Sequence, residues 1–182
     1  RLLLGAAYLF YKQGYDKTTV RQLGEFIGIQ SGSLFHHFKS KEEILFTVMK
    51  EVIEYTSTKQ NDAIAQVSSY REKLKALIIS ELYAINGVTC DAMTVLVFEW
   101  NALSRTHQHD LLELRTAYED TWVGILQHLK KETGYVQSAH VWRKFLVGSI
   151  AWTVTWFKKD GSLTLEDLAE QLLLMALGKN NA

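Results

Sequence analysis

The chain has 182 residues, of which 47% are apolar and 22% charged, and its 20 basic and 20 acidic side chains cancel to zero net charge. That composition excludes a disordered chain, and the length allows one large domain or two small ones sharing a core. Proline is absent, which suits long helices better than a loop-rich sheet, and the single cysteine, Cys90, excludes an internal disulfide and fits a reducing, cytoplasmic compartment.

Charged residues interrupt every apolar run before it reaches membrane-spanning length, so no membrane partner is expected. The opening stretch RLLLGAAYLFYKQG lacks a basic leader followed by a small-residue cleavage site, and it lacks an initiator Met, so a few further residues are expected in front. Charge is unevenly spread. Residues 1–53 hold seven basic side chains against five acidic ones, a mild positive bias at the front.

In chain order, a first helix is expected over about residues 2–13, stopped by Gly14. Thr19 and Gln22 have capping-box spacing and open a second helix with Val20, Leu23 and Ile27 on its apolar face, broken by Gly28. A third short helix follows from about Ser31 to Phe38. Ser40 and Glu43 open a long fourth helix from Lys41, which continues without a flexible linker. Ser69 and Glu72 cap a fifth, ending near Gly87, and a sixth covers about 90–104. Leu111, Leu114, Tyr118, Trp122, Ile125 and Leu129 form the stripe of a seventh, ended by Gly134. An eighth spans about 139–158, and Thr164 with Asp167 caps a ninth that ends at Gly178. The expectation is an all-α chain of about nine helices. A helix-turn-helix domain occupies residues 1–45, and a helical ligand-binding and dimerisation domain occupies residues 46–182.

The adjacent His36 and His37 raise three readings: metal, catalysis or a contact surface. Neighbouring histidines on a helix diverge by about 100°, whereas zinc helices use His at i and i+4, so metal is disfavoured. No carboxylate or nucleophile stands at helical spacing to orient either ring, so no catalytic residue is assigned. With Leu34 and Phe38 taken as the inward face, His37 falls near it, and Gly32, Ser33, Phe35 and His36 face outward. Such a face approaches a surface closely and offers hydrogen bonds to phosphate or base edges. Lys41 at a helix start adds an anion-binding arrangement.

The stretch AAYLFYKQGYDKTTVRQLGEFIGIQSGSLFHHFKSKEEIL, residues 6–45, closely resembles the DNA-binding region of TetR-family transcriptional repressors. The order GY, TTV, G-I, GSLFHHF and KSKEEIL carries the resemblance. It implies that the third helix reads double-stranded operator DNA through Ser31, Gly32, Ser33, Phe35 and His36, with Thr19, Arg21, His37 and Lys41 anchoring phosphates. The family often has Tyr at the place of Phe35 and a basic residue near Ser31, and neither is present here. The resemblance further implies a homodimer, joined through the last two helices, that binds an inverted-repeat operator and is released by a small effector.

The last two helices are unusually apolar. FLVGSIAWTVTWFKK and LEDLAEQLLLMALG offer Phe145, Gly148, Ala151, Leu168, Leu172 and Met175 for a dimer seam. All five tryptophans lie behind residue 99. An apolar pocket is expected from Met93, Val97, Trp100, Tyr118, Trp122, Ile125 and Trp152. RTAYEDTW and the later AWTVTWFKKDGSLTLEDLAE are loosely similar to TetR relatives that sense acyl-coenzyme A or related lipid metabolites. Arg105 or Arg115 would serve the phosphates. The competing effector is a planar aromatic cation recognised by aromatic walls with Glu99 or Asp91, as in an efflux repressor. From other classes, an all-helical enzyme or an interaction module without DNA binding remain alternatives. HQHD, residues 107–110, reads as a polar helix start and not a metal site, and Cys90 as a lone thiol. No cofactor is expected.

Overall fold

The computed structural model describes residues 2–134 and 138–178, apart from the side chain of Ser31. Among them are nine α-helices and no strand: α1 (Leu2–Gln13), α2 (Val20–Ile27), α3 (Ser31–His37), α4 (Lys41–Ala65), α5 (Tyr70–Asn86), α6 (Cys90–Phe98), α7 (Arg105–Thr133), α8 (Ala139–Trp152) and α9 (Leu165–Leu177). Also among these residues, no single helix is long and apolar enough to cross a membrane.

The stop and start signals act as the chemistry requires. Thr19, Ser69 and Thr164 each form a complete capping box with the residue three further on. These side chains satisfy amides that the first helical turn leaves unbonded. Two helices end earlier than their periodicity predicts. α6 stops at Phe98 and gives way to a 3-10 turn over Trp100–Ala102, and α8 stops at Trp152 before a 3-10 turn over Thr153–Thr155. At the second break Thr153 is buried. Its hydroxyl donates to the Ile150 carbonyl at 2.7 Å and accepts from Asn86 Nδ2 at 2.8 Å. Such a side-chain bond competes with the helical ladder, and periodicity alone does not register it.

The chain divides into two compact units. One comprises Arg1–Glu54 with Thr89–Arg115, the other Tyr55–Val88 with Thr116–Ala182. α4 and α7 each run from one unit into the other. In the first unit Phe10 of α1, Leu23 of α2, Leu34 of α3 and Leu45 of α4 share one core with Ala92, Val95, Leu103 and Leu111. α6 and the start of α7 therefore complete the packing of the front helices, although they are distant in sequence. In the second unit α5 packs against α8 and α9, burying Leu74, Leu77, Ile78, Leu82, Leu146, Ile150, Leu168 and Leu172. Tyr83 donates to Glu166 at 2.6 Å and Lys75 pairs with Glu170 at 2.6 Å along the same seam.

Polar ties fasten the first unit. Lys41 Nζ donates to the Tyr15 carbonyl at 2.8 Å and lies 4.0 Å from the centre of its ring. The Tyr15 amide donates to Glu99 at 3.1 Å. Glu42 Oε1 accepts the Ser104 amide at 2.8 Å and meets His107 Nδ1 at 2.7 Å, while the His107 ring stacks on Phe46 at 4.3 Å. The Ser104 bonds first, and His107 after them, hold the Glu42 carboxyl below its ordinary value of 4.5, against the opposing effect of burial.

Two outcomes are expected. Thr164→Ala removes a capping box and should cost about 1 kcal/mol, read from urea denaturation. A carboxyl whose folded-state pKa is lowered contributes stability that is complete above the ordinary value and is lost as pH falls through the lowered one. Glu42→Gln should therefore be less stable than the parent at pH 7, and the two melting temperatures should converge as pH falls below 4.5.

Candidate functional site

The outward face of α3 is built by the turn that precedes it. Gly28 adopts a left-handed φ of +81°, and its amide and that of Ile29 both donate to the Gly24 carbonyl at 2.9 Å. A Cβ at this φ is strained, so glycine permits the tight reversal. Gln30, in extended conformation, immediately precedes α3, and Leu34, at 1% exposure, pins the helix to the core. Gly32, Ser33, Phe35 and His36 are all exposed. The position of a Cβ on Gly32 meets nothing within 4 Å, so this face is open to close approach.

His37 is exposed as well, not near the inward face. The reason is that Phe38 has left the helix, with φ −132° and ψ 129°, so the helical wheel that placed Leu34 and Phe38 on one side does not extend that far. Ser31 begins α3, and its side chain lies outside the described residues.

The flanking residues are already partly engaged. Thr19 Oγ1 accepts the Gln22 amide at 3.2 Å and donates to Gln22 Oε1 at 3.0 Å. Arg21 Nε pairs with Glu25 at 2.8 Å on the exposed face of α2. Lys41 is half-buried and clamps Tyr15.

The seven residues expected to line a pocket fall into both units. Met93, Val97 and Trp100 belong to the first, where Val97 is exposed and the Arg115 guanidinium lies 5.7 Å from the Trp100 ring centre. Tyr118, Trp122, Ile125 and Trp152 belong to the second. There Trp122 and Ile125 are buried, but Trp152 is 67% exposed. It continues a stripe on α8 with Val141, Phe145 and Gly148, of which Phe145 is 73% exposed. Ala151 beside it is half-buried. On α9 Leu168 and Leu172 are buried within the chain, whereas Leu174 and Met175 are exposed.

Sequence reasoning did not single out the polar centre of the second unit. Glu81 of α5 is 2% exposed and accepts from Gln60 Nε2 at 2.9 Å and from the Tyr118 hydroxyl. Burial drives its carboxyl above the ordinary value, opposed by the Tyr118 hydroxyl, the Arg143 charge and the Gln60 amide. Burial, and then Glu81, raise the Tyr118 hydroxyl well above 10. Arg143 of α8 is buried, pairs with Glu119 at 3.2 Å and lies 5.8 Å from the Tyr118 ring centre. A signal was present: Glu81 is a lone acid inside LIISELYAIN, on a helix whose other inward residues are almost all apolar. Among the described residues, three buried side-chain polar atoms lack a hydrogen-bond partner: Thr56 Oγ1, Trp122 Nε1 and Arg143 Nε. All three belong to this unit. Also among the described residues, no group of three His, Cys, Asp or Glu is placed to hold a metal ion.

Residues 2–48 match the family described as bacterial regulatory proteins, tetR family, and residues 67–179 match the tetracyclin repressor-like C-terminal domain. The chain is 31% identical, over 97% of its length and 87% of the relative's, to the HTH-type transcriptional repressor KstR2 of Mycolicibacterium smegmatis. Among solved structures, the superantigen PfiT is 47% identical with a TM-score of 0.82, covering 98% of this chain and 95% of that one. The ketosteroid transcriptional regulator KstR2 of Mycobacterium tuberculosis is 26% identical with a TM-score of 0.80, covering 97% and 91%. The chain belongs to the TetR family of bacterial regulatory proteins, and it is a ligand-responsive, DNA-binding transcriptional repressor of that family.

Proposed function

We propose that this repressor binds an inverted-repeat operator as a homodimer and is released by a small apolar effector that carries an acyl or related lipid skeleton. Residues 1–45 supply the DNA-binding part and residues 46–182 the ligand-binding and dimerisation part. Ser33, Phe35 and His36 enter the major groove, with Gly32 allowing close approach. Ser31, Thr19, Arg21, His37 and Lys41 contribute at the phosphate edge, Lys41 mainly by holding the Gly14–Tyr15 turn in place. The chain performs no catalysis in this reading. The observation that carries it is the open face of α3, four exposed residues held by one buried leucine.

A dimer suits both ends of the chain. The exposed stripe of Phe145, Gly148 and Trp152, with Met175 on α9, is apolar surface that a second copy would cover. Two recognition helices then read successive major grooves roughly 34–36 Å apart. α4, 25 residues without a break, carries the effector's influence to the helix-turn-helix. A coupling of about 1–3 kcal/mol changes operator affinity roughly 5- to 150-fold. The KstR2 name, a ketosteroid regulator, supports a lipid-like effector over a planar cation. Glu99, which would have faced a cation, is bound to the Tyr15 amide.

The 47% identity to a protein named a superantigen favours a second reading, an interaction module that acts through its surface and has given up DNA. One pair of substitutions separates the two. With an operator selected from a random duplex library, Ser33→Glu with His36→Glu should lower affinity at least about 100-fold, since two carboxylates would face phosphates. The melting temperature should hardly change, because both side chains are exposed. An unselective library result for the parent chain would favour the module. For the dimer, Phe145→Glu with Met175→Glu should shift the sedimentation profile to monomer and abolish cooperative operator binding.

A further inference from the structure

The polar centre of the second unit has a leftover valence. Glu81 Oε2 receives the Gln60 amide and the Tyr118 hydroxyl, and Glu119 Oε1 lies 3.2 Å from Arg143 Nη2. Two of its donors have no partner. Arg143 Nε and Trp122 Nε1 are both buried and unbonded, and neither group has any accepting capacity. The Arg143 guanidinium lies 5.8 Å from the Tyr118 ring centre, and Trp122 follows Tyr118 by one turn of α7. Thr56 Oγ1, unbonded one turn before Gln60 on α4, donates or accepts as its partner requires.

A buried donor without a partner costs stability, and a fold that keeps two in one polar centre gains by a molecule that completes them. A cation has nothing to offer Arg143 Nε or Trp122 Nε1 and would meet the guanidinium charge. A pure hydrocarbon leaves both unbonded. We propose that the effector presents an oxygen acceptor, a carbonyl or a carboxylate, to Arg143 Nε and Trp122 Nε1, with its apolar body among the surrounding aliphatic and aromatic side chains. This rests on the ligand-responsive reading and adds the chemical class the site selects. Arg143 and Trp122 are the residues that determine specificity, and the Glu81–Tyr118–Gln60 bonds hold the wall on which they stand.

The test uses the full chain and four probes in calorimetric titration: decanoate, decanoyl-CoA, the diketosteroid androstenedione, and decyltrimethylammonium as a chain of matched length with no acceptor. The parent should bind at least one acceptor probe ten times more tightly than the cation. Arg143→Lys keeps the charge and loses the Nε–H, and Trp122→Phe keeps a ring and loses the N–H. Each should reduce that preference at least tenfold, and agreement between two variants with different packing consequences separates the lost donor from a packing defect. Binding of decanoyl-CoA without decanoate identifies a thioester carbonyl, the reverse a free carboxylate, and androstenedione alone a ring ketone. The proposal is overturned by equal affinity for the cation, by both variants retaining the parent's preference within twofold, or by no acceptor probe binding at saturation. Operator binding is measured on the same samples. Its loss in the ligand-free parent overturns the repressor reading, whereas intact operator binding with no acceptor preference overturns this inference alone.

Discussion

A seven-residue helix does not hold together in water by itself, because nucleation costs more than two turns of hydrogen bonds return. The short helix α3 therefore depends on its packing, above all the insertion of Leu34 into the core made by Phe10, Leu23 and Leu45. Everything around α3 serves that insertion. Gly28 turns the chain back, Lys41 ties α4 to the Tyr15 carbonyl, and Glu42 ties the start of α4 to the Ser104 amide and His107. The outward residues are then free to be chosen for what they touch, since none is needed for packing.

The two units solve different problems. The first holds a small surface rigid and closes its core with α6 and the beginning of α7, segments that arrive late in the chain. The second buries an acid, an arginine and a tyrosine where apolar packing would be more economical. In the proposed effector site these groups would tell one apolar molecule from another, because hydrophobic contact discriminates weakly and an unmatched polar group discriminates strongly. The stripe on α8 leaves Phe145 and Trp152 exposed, apolar surface that the proposed dimer would cover.

Much of this was legible in the sequence. Capping boxes at Thr19, Ser69 and Thr164, stop glycines at 14, 28 and 178, and the stripe from Leu111 to Leu129 are local signals, each spanning a turn or two of helix. Local hydrogen bonding decides them, so the sequence carries them directly. The order of short motifs through residues 6–45 likewise sufficed to place the exposed face of α3. Where local periodicity was trusted past a helix end, at His37 and Phe38, it misplaced a side chain, because backbone geometry had already changed.

What the tertiary structure alone decided is which distant residues meet. Gln60, Glu81, Tyr118 and Arg143 come from four helices, and no spacing in the chain announces that their polar ends converge. Trp152 and Trp122 look alike in the sequence, yet one is on the surface beside Phe145 and the other is fully buried. Leu168 and Leu172 are buried within the chain, on a helix that packs against α5. The helices, their capped starts and the exposed face of α3 follow from the sequence, because those depend on bonds between near neighbours. The partners in the core and the buried polar centre depend on contacts between remote segments, which only the folded chain brings within hydrogen-bond distance.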